Sequence, residues 1–305
     1  MWQLGKRDAI GLGWRIDLGP SILSNIDKID VLEVIIDDYF NSSRVELRSL
    51  NTLARQIPVL YHGVGLGLAS SLRVDQRRLE KLARILDVLS PEIWSEHLAF
   101  VRAGNREIGH LAAPPRTNCT LDGALENLFI VKKTIGSCPV LENIATLIDP
   151  PGSKMSEPQW VTQIVNEGGG TLLLDLHNLY ANALNFGFEP ISYLKSFPLD
   201  RVNLVHLSGG KWIKEPAGFE SRPKGELLLD DHIHDVPEEV YDLLNVLGKS
   251  VPQPLTVIIE RDGEYPAFQL LLAQVQRTRN VLMEARKHQE QQVQKIGGSL
   301  ECTII

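Results

Sequence analysis

Eight short apolar segments, each separated from the next by a stretch with helical character, constrain this chain more than any other feature. They read IGLGW (10–14), VLEVII (31–36), PVLYH (58–62), EIWSEHLAF (92–100), CPVLEN (138–143), TLLLDL (171–176), VNLVHL (202–207) and LTVIIE (255–260). Several are continuous apolar runs, the pattern of strands buried on both faces. The intervening segments carry helical signals. Asp75 is a candidate cap for a helix in which Leu79, Leu82, Ile85, Leu86 and Leu89 recur on one face, and Val236, Val240, Leu243 and Leu244 mark another stripe. Helices are expected over 20–29, 43–56, 75–89, 121–134, 157–166, 190–196, 236–247 and 266–286. Eight strand–helix alternations predict a single (β/α)8 TIM barrel over 1–286, in preference to an open doubly wound sheet. Residues 287–305, rich in Gln, Lys and Gly, are expected to form a flexible C-terminal tail.

The ends of these segments are chemically unusual. They carry Trp14-Arg15, Asp37-Asp38, Tyr61-His62, Glu96-His97, Glu142-Asn143, Asp175-Leu176-His177-Asn178, His206 and Glu260-Arg261-Asp262, with Asp230-Asp231-His232-Ile233-His234 between the last two. A parallel barrel brings all its strand C-termini to one face, so these groups converge. One histidine closing an apolar strand is ordinarily a hydrogen-bonded core residue. His62, His97 and His206 together with Glu142, Asp175 and Glu260 point instead to bound metal, because buried carboxylates must be paired or neutralised. The donors outnumber what one ion can use. A bridging carboxylate holds two ions about 3.5–4 Å apart, and Glu142 is placed to do so. Asp230 and His232, with Asn178, could hold a third. Imidazole and carboxylate donors suit iron, manganese or zinc without selecting among them.

Composition narrows the function classes. With 31 Lys and Arg against 38 Asp and Glu, the formal charge is −7, which disfavours a polyanionic nucleic-acid partner. No apolar run reaches the roughly 20 residues needed to span a membrane. Residues 1–8 lack the apolar stretch of a signal peptide, so a cytoplasmic location is expected. Cys119, Cys138 and Cys302 form no CxxC pair, which suits reduced thiols. Gly168-Gly169-Gly170 precedes a strand and reads as a turn rather than a phosphate-binding loop.

The strings VLEVIIDDYF (31–40), YHGVGLGLAS (61–70), SEHLAF (95–100), VLENIATLI (140–148), LLLDLHNLYANALNFGFEP (172–190), VHLSGG (205–210), LLDDHIHDVP (228–237) and IERDGEYP (259–266) resemble the multinuclear non-haem iron-dependent oxidative enzymes, relatives of the iron oxidase of methanobactin biosynthesis. The resemblance covers roughly residues 9–283. It implies a TIM barrel of the xylose isomerase and endonuclease IV kind. It also implies two or three iron ions (Fe2+/Fe3+), dioxygen (O2) as co-substrate, and oxidation of a ribosomally made precursor peptide, often at cysteine. A partner protein that presents the peptide is a further expectation. On this resemblance His62, His97 and Glu142 hold the first iron, and Glu142 bridges to a second held by Asp175, His206 and Glu260. Asn178, Asp230 and His232 surround a third position. The chain departs from the common family pattern at Leu18 and Phe186, where many relatives have histidine, and at His177-Asn178 and Asp37-Asp38. These positions are expected to line the pocket. Asp38, His177, Phe186, His234, Arg261 and Asp262 are therefore read as pocket or supporting residues, with a structural ion pair at the barrel rim the alternative for Arg261 and Asp262. The competing functions are a zinc- or manganese-dependent hydrolase or phosphodiesterase of the endonuclease IV type, a sugar isomerase lacking an evident catalytic lysine, and a non-catalytic binding protein.

Overall fold

Parallel strands close into an eight-stranded barrel, as the alternating pattern predicts. The computed structural model describes residues 5–104, 106–215 and 225–301, with side chains as far as 291. In chain order the strands are β1 (Ala9–Gly13), β2 (Val31–Ile35), β3 (Val59–Gly63), β4 (Trp94–His97), β5 (Phe100–Ala103), β6 (Arg106–Ala112), β7 (Val140–Glu142), β8 (Leu172–Asp175), β9 (Val202–Leu207), β10 (Gly210–Lys214), β11 (Glu226–Asp230) and β12 (Thr256–Ile259). The barrel runs β1-β12-β9-β8-β7-β4-β3-β2 and closes on itself, while β5-β6 and β10-β11 form two separate antiparallel hairpins. The helices are α1 (Gly19–Leu23), α2 (Arg44–Ala54), α3 (Gln76–Leu89), α4 (Asn118–Ile135), α5 (Glu157–Gly168), α6 (Leu176–Phe186), α7 (Pro190–Lys195), α8 (Glu238–Ser250) and α9 (Phe268–Glu301). Among the described residues no helix is long and apolar enough to cross a membrane.

Local sequence sets the helix starts. Ser43 and Glu46 exchange capping bonds at α2, Ser156 and Gln159 do the same at α5, and Asp75 accepts from the Arg78 amide at α3. The heptad-like leucines of α3 are all buried, facing the strands.

The core has two parts. The larger lies between strands and helices. The smaller, formed by Ala9, Val31, Leu60, Val140, Leu173, Leu204 and Ile258, fills the barrel interior, with Ile93 packed against it. Side chains two residues apart on a strand share a face. Two residues beyond this apolar plug, the inward positions are therefore Glu33, His62, Ser95, Glu142, Asp175, His206 and Glu260. Register keeps them level: His97 pairs with Glu142, His62 with Ser95 and Asp175 with His206 across neighbouring strands.

Four sequence expectations change. The string 92–100 is not one strand, because Leu98 makes the last barrel bond, to Glu142, and Phe100 pairs instead with Ala112 across the first hairpin. An uninterrupted apolar string does not reveal a change of partner. The helix expected over 20–29 is the short α1 followed by a 3-10 turn at Ile26–Lys28. Leu18, expected at the pocket, packs in the main core. Finally, the helix expected over 266–286 is α9, which continues to Glu301; residues 302–305 lie outside the described residues.

Barrel closure leaves little room at β1, whose inward positions are Ala9, Gly11 and Gly13. A Cβ on Gly11 would lie 1.9 Å from the Val31 carbonyl oxygen and 2.7 Å from its Cγ1. Gly11→Ala is expected to force β1 and β2 apart and to destabilise the fold by about 3 kcal/mol or more. Thermal unfolding and the yield of folded protein check this; a wild-type melting curve would contradict it.

Candidate metal centre

Above the apolar plug, two groups of donors converge. His62, His97 and Glu142 form one, and Glu142, Asp175, His206 and Glu260 the other, the donor atoms within each lying within 4.8 Å of one another. Glu142 belongs to both. Its Oε2 is 3.3 Å from His62 Nε2 and 3.2 Å from His97 Nε2, while its Oε1 is 3.2 Å from His206 Nδ1. The two approaches to Oε2 lack hydrogen-bond geometry, and that atom has no hydrogen-bond partner. Asp175 Oδ2 and Asn178 Oδ1 likewise have none, while Glu260 Oε2 and His232 Nε2 meet only ion-pair contacts, at 3.0 Å to His206 Nδ1 and 2.8 Å to Asp230 Oδ2. Such orphaned atoms are rare and costly in a protein interior. A cluster of them, all aimed at one region, fits ligands that complete their coordination on cations.

The remaining atoms of these side chains are held by partners that fix their orientation. His97 Nδ1 is 3.2 Å from the Gly63 carbonyl, which can only accept, so Nδ1 carries the proton and Nε2 presents a lone pair. His62 Nδ1 is 2.8 Å from Ser95 Oγ, leaving its Nε2 toward Glu142. His206 Nε2 is 3.0 Å from Glu33 Oε2, leaving Nδ1 toward Glu142 and Glu260. Asp175 divides its carboxylate. Oδ1 caps α6 by accepting from the Asn178 amide at 2.6 Å, and Oδ2 faces the cluster. Asn143 clamps the Asp175 backbone from both sides, at 2.9 and 3.0 Å.

Beside these groups lie Asp230 and His232, with Asp230 Oδ2 2.8 Å from His232 Nε2. His232 has a left-handed backbone, φ 56°, held by its amide donating to Gly209 and its carbonyl accepting from Asp262. Such a conformation costs about 1–3 kcal/mol and persists where the surroundings enforce it. Here it aims the imidazole inward. Asp262 braces His232 Nδ1 at 3.2 Å and is itself held by Arg15 Nε at 3.0 Å.

The other sequence candidates fall outside the cluster. His177 is fully buried against Asp230 rather than lining a pocket. His234 is exposed and pairs with Asp231, and Arg261 ties the loop after β12 through Gly263, Glu264 and Asp235. Asp38 is exposed on a 3-10 turn after β2. Phe186 closes α6, about 12 Å of helix rise beyond Asn178. Glu33 was missed by the sequence reading. The available signal was a lone charge inside an apolar strand, two residues after an inward-facing valine.

Electrostatics match a cation site. Burial pushes the Asp175 carboxyl well above its ordinary value, reinforced by Asp230 and Glu142. Burial also raises Glu142, but the imidazoles of His97, His206 and His62 outweigh it and hold it low. For His206 burial opposes the charged form, yet Glu260, Glu33 and Glu142 together hold its pKa well above the ordinary value. Removing a carboxylate from water costs several kcal/mol; divalent ions offset several such costs at once.

A cleft of about 530 Å³ opens directly on the cluster. Its floor includes His97, Asn178, Asp230 and His232, and its walls are the first hairpin (Phe100, Leu111), the loop after β7 (Ile144, Ile148, Pro151) and Leu229 of the second hairpin. No Lys or Arg is among the described residues lining it.

The fold is a TIM barrel of the xylose isomerase-like class, with two donor groups at its mouth that could hold metal ions. Solved structures of that class are similar to it in fold: a xylose isomerase domain protein from Planctomyces limnophilus (TM-score 0.54, 14% identity, covering 93% of this chain and 99% of that one) and a xylose isomerase-like TIM-barrel protein from Mycobacterium smegmatis in complex with magnesium (TM-score 0.54, 10% identity, 93% and 99%). Residues 9–283 match the family described as RiPP precursor modification enzyme MbnB/TglH/ChrH, and the chain belongs to that family. Its curated relatives include a UPF0276 protein of Streptomyces avermitilis, 35% identical over 266 residues, and one of Acaryochloris marina, 30% identical over 277. The alignment spans 84% of this chain but about half (51%) of the Streptomyces protein, and 90% of this chain and 95% of the Acaryochloris protein.

Two predictions follow from this geometry. Glu142→Ala is expected to abolish binding at both groups, whereas Asn178→Ala should weaken only the position beside Asp230. Elemental analysis of protein loaded without oxygen measures both, and equal, mild losses would contradict the shared role of Glu142. In the metal-free state His206 and Asp175 hold protons to higher pH than usual, so a cation must displace them. Binding should therefore release protons and tighten as pH rises past the ordinary histidine range; pH-independent affinity would contradict this.

Proposed function

We propose that this chain is an iron-dependent, O2-using oxidase that modifies a ribosomally made precursor peptide, with cysteine the first candidate residue. The observation that carries the reading is Glu142, a single carboxylate common to two donor groups, in a chain of a RiPP precursor modification family. The proposed arrangement puts one iron at His62, His97 and Glu142 and a second at Glu142, Asp175, His206 and Glu260. A third would lie at Asn178, Asp230 and His232. Bound iron would supply the one-electron chemistry and affinity for dioxygen that no side chain here possesses.

The protein's own contribution is positional. Gly63 O and Glu33 accept from His97 and His206 and so leave the opposite nitrogen of each ring to face inward, and Ser95 fixes the orientation of the His62 ring. The apolar plug beneath the donors closes the barrel to water from below. The cleft walls, mostly apolar and without a described Lys or Arg, suit a peptide segment better than a phosphodiester backbone, which argues against a nuclease-like hydrolase. A partner protein that delivers the peptide, and action in the cytoplasm, belong to the same proposal.

The test is a cysteine-containing candidate precursor peptide, incubated with iron-loaded protein with and without oxygen and followed by mass spectrometry. Oxidation that requires both iron and oxygen is expected. Zinc fits the same donors but has no redox chemistry, so the zinc form should be folded and inactive. Turnover by the zinc form, or hydrolysis indifferent to oxygen, would defeat the proposal.

A further inference from the structure

His177 occupies an unusual place for a histidine. It follows the metal-centre residue Asp175 by two positions in α6, and its side chain is completely buried. Its Nδ1 lies 2.7 Å from Asp230 Oδ1. A carboxylate oxygen only accepts, so Nδ1 donates. Ser208 Oγ donates to the same oxygen at 3.2 Å. Oδ1 is thus occupied by two donors, and Oδ2 is left facing His232 Nε2. The other ring edge is wedged against β10. A Cβ on Gly210 would lie 2.6 Å from His177 Cε1 and 3.0 Å from Nε2, so only glycine leaves room for the ring. Gly210 is paired with Asp230 across the hairpin, so ring and carboxylate are braced by the same two strands.

We propose that His177 is a positioning residue that turns Oδ2 of Asp230 toward a third cation position shared with His232 and Asn178. The proposal rests on the metal-centre reading above and deepens it. A purely structural strut between α6 and the hairpin would use one carboxylate oxygen and need nothing further. Here Asp230 Oδ2 meets His232 Nε2 at 2.8 Å, and Asn178 Oδ1 lines the same cleft floor, buried and with no hydrogen-bond partner. Asp175 Oδ2, equally without a partner, adjoins them. His232 is braced from its far side by Asp262, as Asp230 is by His177 and Ser208. Partnerless buried acceptors, beside side chains individually held from behind, fit a ligand set. His177 Nε2, itself without a hydrogen-bond partner, lies on the Gly210 side of the ring, away from the Asp230 contact.

The test counts ions rather than turnover. Ferrous ion is titrated anaerobically, without peptide, into wild type and into His177→Leu, His177→Gln and His177→Asn, with thermal unfolding recorded alongside. Asparagine carries its amide nitrogen near the Nδ1 position and keeps the donor to Asp230. Glutamine is polar and of similar size but carries its amide to the Nε2 position. Wild type should bind three ions, and the leucine and glutamine variants should bind two normally and the third about 10–100-fold more weakly. The asparagine variant should recover most of the third. Three ions with wild-type affinity in the leucine or glutamine variant would overturn the proposal, as would equal behaviour of glutamine and asparagine, or only two ions in wild type. Should leucine prevent folding, the glutamine–asparagine comparison decides alone. Expected counts in a protein that oxidises no peptide would sink the proposed activity and leave this inference standing.

Discussion

Buried negative charge at the mouth of the barrel is the constraint on which the rest of this structure depends. Glu33, Glu142, Asp175 and Glu260 are each at most 5% exposed, within reach of the imidazoles of His62, His97 and His206. A hydrophobic interior would tolerate such groups only if each charge were matched. The histidines provide part of that match, as the lowered pKa of Glu142 and the raised pKa of His206 indicate. The acceptor atoms that remain without partners mark where further positive charge belongs.

The barrel makes this arrangement possible through its period of two. On strand after strand an apolar side chain plugs the interior, and the next inward position carries a donor: Val31 and Glu33, Leu60 and His62, Val140 and Glu142, Leu173 and Asp175, Leu204 and His206, Ile258 and Glu260. The plug supplies burial energy, on the order of 25 cal/mol per Å² of apolar surface, directly beneath the groups that oppose it. Parallel register then keeps the donors level, so that side chains more than 200 residues apart in sequence, such as Glu33 and Glu260, face the same histidine.

Around this ring the loops are specialised. Asp37 accepts from the Val64 and Gly65 amides, and Glu96 from those of Leu66 and His97, which holds the loop after β3 in place without either carboxylate joining the cluster. The two hairpins rise as walls of the cleft. The cluster is rigid because strands and helix caps carry it, whereas the cleft is shaped by the segments that vary most easily among barrels of one architecture.

Much of this was legible in the sequence. Eight apolar segments with helical intervals specify a closed barrel, because few other topologies bury so many strands on both faces. Donor residue types at the strand ends point to a cluster of potential metal ligands, because a barrel gathers those ends. Tertiary structure alone decided the rest. Glu33 belongs to the ring because β2 faces β9 across the interior, which no local pattern reveals. The first hairpin was hidden because Leu98-Ala99-Phe100 is apolar whether it continues a strand or leaves the barrel for a new partner. His177 and His234 carry the same imidazole as the candidate ligands, and Arg261 directly follows one of them. What separates them is direction: one ring is wedged against Gly210, and the other two side chains point to the rim. Residue type is written in the sequence, but the direction of a side chain is set by the backbone that carries it and the neighbours that leave it room.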